Sequence, residues 1–530
     1  MSIAIDFGTS NTVITRWNQA TQQAETIKLP GLSSQLGQNP PLIPSLVYVQ
    51  NAAENRVLVG QAVPDQGFDV KSDPRFFRAF KRGIGSDIQG FLPELDGQMV
   101  QFERVGQWFL SELVNSLRQV PLPVDSLILT VPVDSFEAYR HWLGNVCQSL
   151  QVEQVRMLDE PTAAALGYGM GQQELLLVVD FGGGTLDLSL VRLDSSSGNK
   201  PLGFILKWGK KNFSETSGQQ VKTARVLAKA GQNLGGTDLD NWLLDYFAQT
   251  KQIPKTPLTT RLAERLKIEL SLQQQASEVY FNDETFESIE LELNREQFET
   301  ILKEHEFFDR LDKSMNQVLQ QAMRQGIEVG DIDAVLLVGG TGQIPAVQGW
   351  IEQYFEREKI RCDRPFEAIA QGALQLNQGI EIKDFLYHSY GIRYWDRRNK
   401  SHNWHKLIPA GQPYPMARPV ELFLGASLEN QPSIELIIGE LGAETGGTEV
   451  YFDGDRLVTR SLMSGQTSVQ PLNDKDGARS IAQLDPPGNP GSDRIKVFFE
   501  VDDRRFLRIT VEDIFTNQTL LDNQAVVQLS

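Results

Sequence analysis

Short apolar runs that end in glycine-containing turns recur through roughly the first 378 residues. A buried strand that runs directly into a tight turn produces this pattern. The clearest runs are IAIDFGT at 3–9, LILTVP at 127–132, LLLVVDFGGGT at 175–185 and VLLVGGTG at 335–342. Helical spacing of apolar positions fills six intervening stretches: 104–119, 135–150, 237–249, 257–274, 295–325 and 345–356. Alternating strands and helices predict α/β layers in this part of the chain.

The pattern changes after about residue 380, where long helical periodicity disappears. Apolar and polar residues alternate instead, and glycine- and proline-rich turns separate the alternating segments. These segments are VELFLGA at 420–426, SIELIIGEL at 433–441, RIKVFFEVD at 494–502 and FLRITVED at 506–513. Period-two alternation between frequent turns predicts an antiparallel, all-β domain.

Composition and net charge indicate which kinds of molecule the protein is expected to bind. The chain has 530 residues, with 50 Lys and Arg against 68 Asp and Glu, which gives a formal net charge of −18. Its 40% hydrophobic and 22% charged residues are ordinary for a globular protein. An acidic surface repels phosphate backbones, so we do not expect a nucleic acid partner.

The chain shows no sign of a membrane or secretory location. The start, MSIAIDFGTSN, lacks the basic segment of a signal peptide, and no apolar stretch approaches the roughly 20 residues of a membrane span. Two cysteines, Cys147 and Cys362, exclude a disulfide framework. These features predict a cytoplasmic protein without a membrane partner.

Two similar turns carry the candidate chemistry. Asp6-Phe7-Gly8-Thr9 and Asp180-Phe181-Gly182-Gly183-Gly184-Thr185 each follow an apolar strand, and a third glycine turn occupies 337–342. Glycines let backbone N–H groups approach phosphate oxygens, and an Asp at a strand end can hold Mg²⁺ through its water ligands. The repeat therefore predicts two related lobes with a phosphate site between them.

These motifs resemble those of a known family. IDFGTSN, VVDFGGGTLD and LLVGGTGQIP resemble the phosphate-1, phosphate-2 and adenosine motifs of the actin-like ATPases. The 70-kDa heat-shock chaperones of the DnaK type are the most similar branch. Four further segments carry that likeness: LTVPVDSFEAYR at 129–140, RMLDEPTAAALGYG at 156–169, NLGGTDLDNWLLDYF at 233–247 and AERLKIELS at 263–271.

The resemblance implies an α/β actin-like ATPase followed by an all-β sandwich. It places the nucleotide-binding domain, with two pseudo-repeated lobes of mixed sheets flanked by helices, at 1–378. A linker follows at 379–386, and a peptide-binding-like β-sandwich occupies 387–530. The implied cofactors are ATP or ADP with Mg²⁺. The implied partners are unfolded or extended polypeptides, a J-domain co-chaperone and a nucleotide exchange factor.

The resemblance also implies roles for individual residues. Asp6 and Asp180 would hold hydrated Mg²⁺ on the β- and γ-phosphates. The implied catalytic residues are Lys81, Glu160, Asp180, Thr185 and Asp187, with Lys81 beside the γ-phosphate. The implied nucleotide-binding residues are Gly8, Thr9, Ser10, Asn11, Gly182, Gly183, Gly184, Gly235, Gly236, Glu264, Lys267, Ser271, Gly339, Gly340 and Thr341.

The sequence departs from the family pattern in four places, one of which is the segment 396–406 in place of the loop that normally helps form the peptide pocket. Ile268 and Gln343 replace the two arginines between which the family holds adenine, so we expect weaker nucleotide affinity. The linker lacks the usual leucine-rich pattern, and no helical lid follows the last strand. A bound peptide would then be expected to dissociate quickly.

The leading hypothesis is an ATP-dependent chaperone with slow ATP hydrolysis coupled to polypeptide binding by the β-domain. One alternative is a nucleotide-gated scaffold that binds one specific protein partner. A small-molecule kinase on the actin-like scaffold is a weaker alternative, since it would need a general base for its acceptor hydroxyl.

Overall fold

The computed structural model describes residues 2–529 with several gaps. The longer gaps are 120–125, 133–136, 169–173, 196–206, 209–221, 376–385, 397–400, 442–447, 462–468 and 474–478, and the others are one or two residues long. The predicted linker therefore lies outside the described residues except for Leu386.

The chain divides into two compact units. The first comprises Met1–Ile382 and Thr448–Arg460, and the second comprises Lys383–Gly447 and Ser461–Ser530. The sequence pattern predicted one β-domain across all of 387–530 and did not indicate that residues 448–460 belong to the first unit. There two strands form a three-stranded sheet with residues 88–89 of the first unit, so β pairing accounts for the assignment.

Short strands build much of the first unit. In chain order they are β1 Ser2–Phe7, β2 Asn11–Asn18, β3 Gln23–Thr26, β4 Ile43–Pro44, β5 Leu46–Asn51, β6 Arg56–Val59, β7 Phe76–Arg78, β8 Ile88–Gln89, β9 Glu94–Leu95, β10 Gln98–Met99, β11 Ser126–Val131, β12 Gln154–Asp159, β13 Glu174–Phe181, β14 Leu186–Ser195, β15 Lys207–Trp208, β16 Lys222–Gln232, β17 Gln275–Asn282, β18 Glu287–Asn294, β19 Ala334–Val338 and β20 Ile360–Arg361.

Helices connect and flank these strands. The α-helices are α1 Ala62–Asp65, α2 Phe102–Gln119, α3 Glu137–Ser149, α4 Glu160–Tyr168, α5 Gly236–Lys251, α6 Pro257–Leu272, α7 Arg295–Glu304, α8 Phe307–Met323, α9 Pro345–Ile351 and α10 Ala368–Ala373. Short 3₁₀ helices cover Phe80–Gly83, Val329–Asp331, Gly340–Gln343 and Arg357–Lys359.

The two large sheets of this unit follow one plan. The first runs in the order β15-β12-β11-β1-β2-β3, and its strand β1 pairs antiparallel with β2 and parallel with β11. The second runs in the order β16-β14-β13-β19-β20, and its strand β13 pairs antiparallel with β14 and parallel with β19. We call the parts built on these sheets lobe I and lobe II. Mixed sheets with helices confirm the predicted α/β layers.

Helices α4 and α10 pack between the two sheets. Their hydrophobic cluster includes Ala4 from lobe I and Val178 from lobe II, both buried. The helices cross closely, because a Cβ added to Gly372 would lie 1.8 Å from the Ala163 carbonyl oxygen. Small residues at this crossing therefore bring the two lobes together.

Two predicted helices are wrong in extent. The helix predicted at 345–356 ends at Ile351. The stretch 295–325 is two helices, α7 and α8, separated at His305 and Glu306. Glu306 takes a left-handed backbone conformation with φ 54°, which an α-helix cannot continue through. The His305 ring stacks on Trp242 at 4.5 Å between centroids, so a tertiary contact accompanies the break.

The last twelve strands follow residue 388. They are β21 Ser389–Asp396, β22 Ser401–Ile408, β23 Val420–Leu424, β24 Gln431–Leu436, β25 Ile438–Leu441, β26 Thr448–Asp453, β27 Arg456–Ser461, β28 Val469–Pro471, β29 Arg479–Gly488, β30 Ile495–Val501, β31 Phe506–Asp513 and β32 Gln518–Gln528. In the described part of the second unit we find strands and no helix.

The second unit has one apolar core. Strands β21, β22, β25 and β28 form one sheet, β23, β30, β31 and β32 form another, and β24 pairs with β29. Alternate residues along β30 and β31 are buried, as period-two patterning predicts. Side chains of several strands share that core, among them Tyr390, Ile438 and Val497.

Candidate functional site

The turn after β1 and the turn after β13 lie in direct contact between the lobes. A Cβ added to Gly183 would lie 2.0 Å from the Ser10 hydroxyl oxygen, and one on Gly184 would lie 2.4 Å from that of Thr9. Both distances are far too short for a carbon, so only glycine permits the approach. The structure thus brings together four of the residues that the sequence analysis assigned to phosphate binding.

The third glycine turn packs against the same loop of lobe II. The Thr341 hydroxyl donates a hydrogen bond to the Gly182 carbonyl oxygen at 2.8 Å. Gly339 has φ +83°, and a Cβ there would lie 2.3 Å from the Phe181 carbonyl oxygen. A Cβ on Gly235, just before α5, would lie 2.5 Å from the Gly184 nitrogen. Gly235 and Gly339 therefore pack closely against the glycine turn that follows β13.

Carboxylates collect behind these turns. Asp6 is the penultimate residue of β1 and accepts a hydrogen bond from the Thr130 hydroxyl at 2.7 Å. Asp180 is the penultimate residue of β13 and lies directly opposite Asp187 of β14 in the antiparallel register. Glu160 begins α4 and is buried, whereas Asp6 and Asp180 are partly exposed. Two strand ends and a helix start thus concentrate negative charge where the lobes meet.

Burial and the closeness of these carboxylates raise the pKa values of Asp6 and Asp180. Burial, followed by the negative charge of Glu160, raises the pKa of Asp6 to about 6, although Lys81 and Thr130 oppose the shift. Burial and the charges of Glu160, Asp187 and Asp6 raise the pKa of Asp180 well above its usual value. Clustered anions of this kind favour a bound cation, which would restore their ionised form.

Lys81 supplies positive charge to the cluster. Its Nζ lies 3.3 Å from the Glu160 Oε1 and 5.5 Å from the centroid of the Phe7 ring. Burial works against the charged amine, yet Glu160, Tyr139 and Asp6 together raise the pKa of Lys81 above its ordinary value. Lys81 is therefore a cation at neutral pH.

Helix α6 places its predicted residues beside the start of α5. The Lys267 Nζ lies 2.7 Å from the Asp240 Oδ1 and donates to the Gly236 carbonyl oxygen at 2.9 Å. The Ser271 hydroxyl donates to the Lys267 carbonyl at 3.0 Å. Glu264 lies 3.6 Å from Arg78 of lobe I. Residues 264, 267 and 271 share one face of α6, and two of their side chains, Glu264 and Lys267, pair with charged residues.

The sequence analysis missed three residues of this site. Arg82 donates to the Gly184 carbonyl through its Nη2 at 2.5 Å and pairs with Asp238 at 2.5 Å, so it spans the two lobes. Asp240 is buried, and burial raises its pKa to about 6, with Glu264 adding to the shift and Lys267 opposing it. Both Asp238 and Asp240 lie in the motif NLGGTDLD, where alternating acids after two glycines were the available signal.

The two positions that replace the family's arginines differ in environment. Ile268 is 38% exposed on α6. The side-chain nitrogen of Gln343 is buried and has no hydrogen-bond partner among the described residues. The structure thus offers an aliphatic wall and an amide donor at these two positions.

The carboxylates suit an ion that keeps most of its water. Among the described residues, no three Asp, Glu, His or Cys side chains are arranged to hold a metal ion directly. Mg²⁺ is ordinarily bound through one or two carboxylates together with phosphate oxygens and waters. Asp6 and Asp180 on opposite lobes fit that description.

A comparison with protein families identifies the chain. The sequence model of the family described as Hsp70 protein matches residues 92–199 and 222–408, more than half of the chain. The chain belongs to the Hsp70 family. By this membership the protein is broadly a chaperone of the Hsp70 type, and the members of this family are nucleotide-binding ATPases. Asp180, Glu160 and Lys267 lie inside the matched segments, whereas Asp6 and Lys81 precede them.

Within the described part of this Hsp70, no helix combines the length and apolar character that crossing a bilayer requires.

Proposed function

We propose that this Hsp70 binds Mg-ATP between its two lobes and hydrolyses it slowly, and that hydrolysis controls polypeptide binding by the second unit. The observation that carries the proposal is the contact of the two glycine turns next to the clustered carboxylates of Asp6, Asp180 and Glu160. Their backbones can approach phosphate oxygens from both lobes, so lobe closure and phosphate binding would occur together.

The surrounding residues suit phosphoryl transfer to water. That reaction depends mainly on neutralising phosphate charge and on holding a nucleophile in line. A bound Mg²⁺ would neutralise phosphate oxygens. Lys81 would add a fixed positive charge, while Glu160 and Asp187 would accept hydrogen bonds from the attacking water. Asp6 and Asp180 would orient the metal's water shell.

Steady-state ATP hydrolysis tests this assignment. We expect Asp180→Asn and Lys81→Ala to lower turnover at least about tenfold, because each removes a charge that the transition state requires. Asp522→Asn and Lys251→Ala change exposed residues of the same types and should hydrolyse ATP like the wild type. A wild-type rate no faster than that of Asp180→Asn would overturn the ATPase assignment.

Exposed apolar side chains support polypeptide binding by the second unit. Tyr394, Trp395, Phe423, Leu428 and Phe515 are each at least 41% exposed. A contiguous patch of exposed apolar side chains marks an interaction site, and the proposal requires that these side chains contact the bound polypeptide. An unfolded chain offers apolar side chains and free backbone groups, and both suit the edge and face of a β-sheet.

The aromatic character of one hairpin favours a second candidate. The Trp395 ring meets that of His402 edge-on at 5.0 Å on the β21–β22 hairpin, and the preceding residue, Tyr394, is also exposed. Tyrosine and tryptophan are enriched where one specific partner binds. A nucleotide-gated scaffold with one dedicated protein partner would use such a surface.

Peptide binding separates these two functions. Fluorescent unfolded peptides of varied sequence should bind with similar affinity to a chaperone, and Mg-ATP should change their release rate. Trp395→Ala should then weaken all of them by a similar factor. Failure to bind any peptide, together with recovery of one stoichiometric protein partner, would favour the scaffold. A J-domain co-chaperone, an exchange factor and a cytoplasmic location remain predictions.

A further inference from the structure

Tyr139 lies in the first turn of α3, close to the candidate phosphate site. It is 5% exposed, and its ring centroid lies 5.4 Å from that of Trp142. The Trp142 ring lies 6.5 Å from Phe7, the same ring over which the Lys81 ammonium sits. Tyr139 therefore belongs to the aromatic cluster that supports Lys81.

The Tyr139 hydroxyl is a buried polar group without a partner. Among the residues that the structure describes, it forms no hydrogen bond, and no other tyrosine has a buried hydroxyl in this condition. By contrast, the hydroxyl of Tyr48 donates to Asp73 at 2.9 Å, and that of Tyr354 donates to Asp312 at 2.6 Å. Buried polar groups are nearly always satisfied in native proteins by protein, water or a ligand, so this hydroxyl calls for a partner other than the described residues.

The electrostatic setting makes this hydroxyl a hydrogen-bond donor. Burial raises the pKa of Tyr139 to about 12, Lys81 opposes that shift, and Glu160 and Asp6 add to it. The phenol therefore stays protonated throughout the neutral range. The same three charged residues surround the place that the proposed function gives to the terminal phosphate.

We propose that the Tyr139 hydroxyl donates a hydrogen bond to an oxygen of the terminal phosphate of the bound nucleotide. This assignment rests on the proposed ATPase function and adds a phosphate-binding residue from α3. The hydroxyl then acts only when a γ-phosphate is present. Tyr139 would distinguish ATP from ADP, whereas the glycine turns would hold both.

The test compares Tyr139→Phe with wild type for Mg-ATP and Mg-ADP affinity and for single-turnover hydrolysis. The substitution removes one oxygen and leaves the ring contacts with Trp142. We expect ATP affinity or the hydrolysis rate to fall about tenfold or more, the loss typical of a hydrogen bond to a charged acceptor. ADP affinity should stay within about twofold, and the nucleotide-free protein should melt no lower than wild type.

Tyr168→Phe is the matched control. Its hydroxyl is also buried but accepts a hydrogen bond from the Arg364 backbone nitrogen at 3.4 Å. Removing this hydroxyl should therefore not change the affinity for ATP relative to that for ADP. If Tyr139→Phe unfolds early, Tyr139→Met removes the same hydroxyl with a more adaptable side chain.

The outcomes distinguish the two proposals. Wild type that hydrolyses ATP, together with Tyr139→Phe that keeps normal ATP affinity and rate, would overturn the role of Tyr139 alone and indicate that water satisfies the hydroxyl. Equal weakening of ATP and ADP would also overturn it, because the effect would then be on the fold of the site. Wild type that binds neither nucleotide would overturn both proposals.

Discussion

Arg82 links the two lobes at the candidate site. It extends from lobe I to pair with Asp238 and to donate two hydrogen bonds to the Gly184 carbonyl oxygen in lobe II. Its side chain is 2% exposed and that of Asp238 is 18% exposed. Opening the lobes must break this link, so Arg82→Ala should speed nucleotide release.

The size of the effect follows from the burial of the pair. Removing one partner of a fully buried ion pair costs about 3–5 kcal/mol. Asp238 is partly solvated and keeps its hydrogen bond from the Gly235 backbone nitrogen at 2.8 Å, so the cost here should be smaller. We expect the closed form to lose about 1.5–3 kcal/mol, which corresponds to roughly 10- to 100-fold faster release.

The assay is stopped-flow release of a fluorescent ADP analogue from wild type, Arg82→Ala, Asp238→Asn and the double variant. The double variant should release ADP little faster than Arg82→Ala, because the two residues act through one contact. Arg357→Ala removes an exposed ion pair with Glu352 and serves as the control. A folded Arg82→Ala protein whose release rate is within twofold of wild type would refute the reasoning.

Two further predictions concern stability. Gly372→Ala should destabilise the first unit by about 3 kcal/mol or more in chemical denaturation, because its Cβ would overlap the Ala163 carbonyl oxygen. The control is Gly349→Ala, at an open helical position, which should raise the free energy of unfolding by about 0.5–1 kcal/mol. Equal effects of the two substitutions would contradict the close crossing of α4 and α10. The raised pKa of Asp6, about 6, predicts that the nucleotide-free protein loses stability as pH rises from about 4 to 6, since the native carboxylate resists ionisation. Asp6→Asn should make stability less dependent on pH between about 4 and 6 and should raise the melting temperature at pH 7.5. A lower melting temperature at pH 7.5 would contradict the raised pKa of Asp6.

Strand and turn patterns predicted much of the architecture. Apolar runs before glycine turns became β1, β13 and β19, and the two Asp-Phe-Gly turns meet as the repeat suggested. The signal was strong because buried strands are uniformly apolar and because close backbone approach requires glycine. Sequence periodicity alone did not reveal α4, whose residues are buried on every side and so lack an amphipathic stripe.

The residues that sequence analysis missed depend on tertiary contacts. Arg82 follows Lys81 directly and has no pattern of its own, but its partners Gly184 and Asp238 lie far along the chain. Asp240 is chemically ordinary until burial next to Lys267 gives it a role. Strand β26 pairs with β8 of the first unit and β27 pairs with β26, a long-range pairing that local alternation cannot specify.

Calorimetric titration of Mg-ATP tests the central claim, a nucleotide site between the glycine turns of the two lobes. The wild type should bind one nucleotide per chain. Gly183→Ala should lose most of that affinity while melting as a folded protein, because its Cβ would lie only 2.0 Å from the Ser10 hydroxyl oxygen. Absence of binding to wild type, or equal binding to both proteins, would contradict the account.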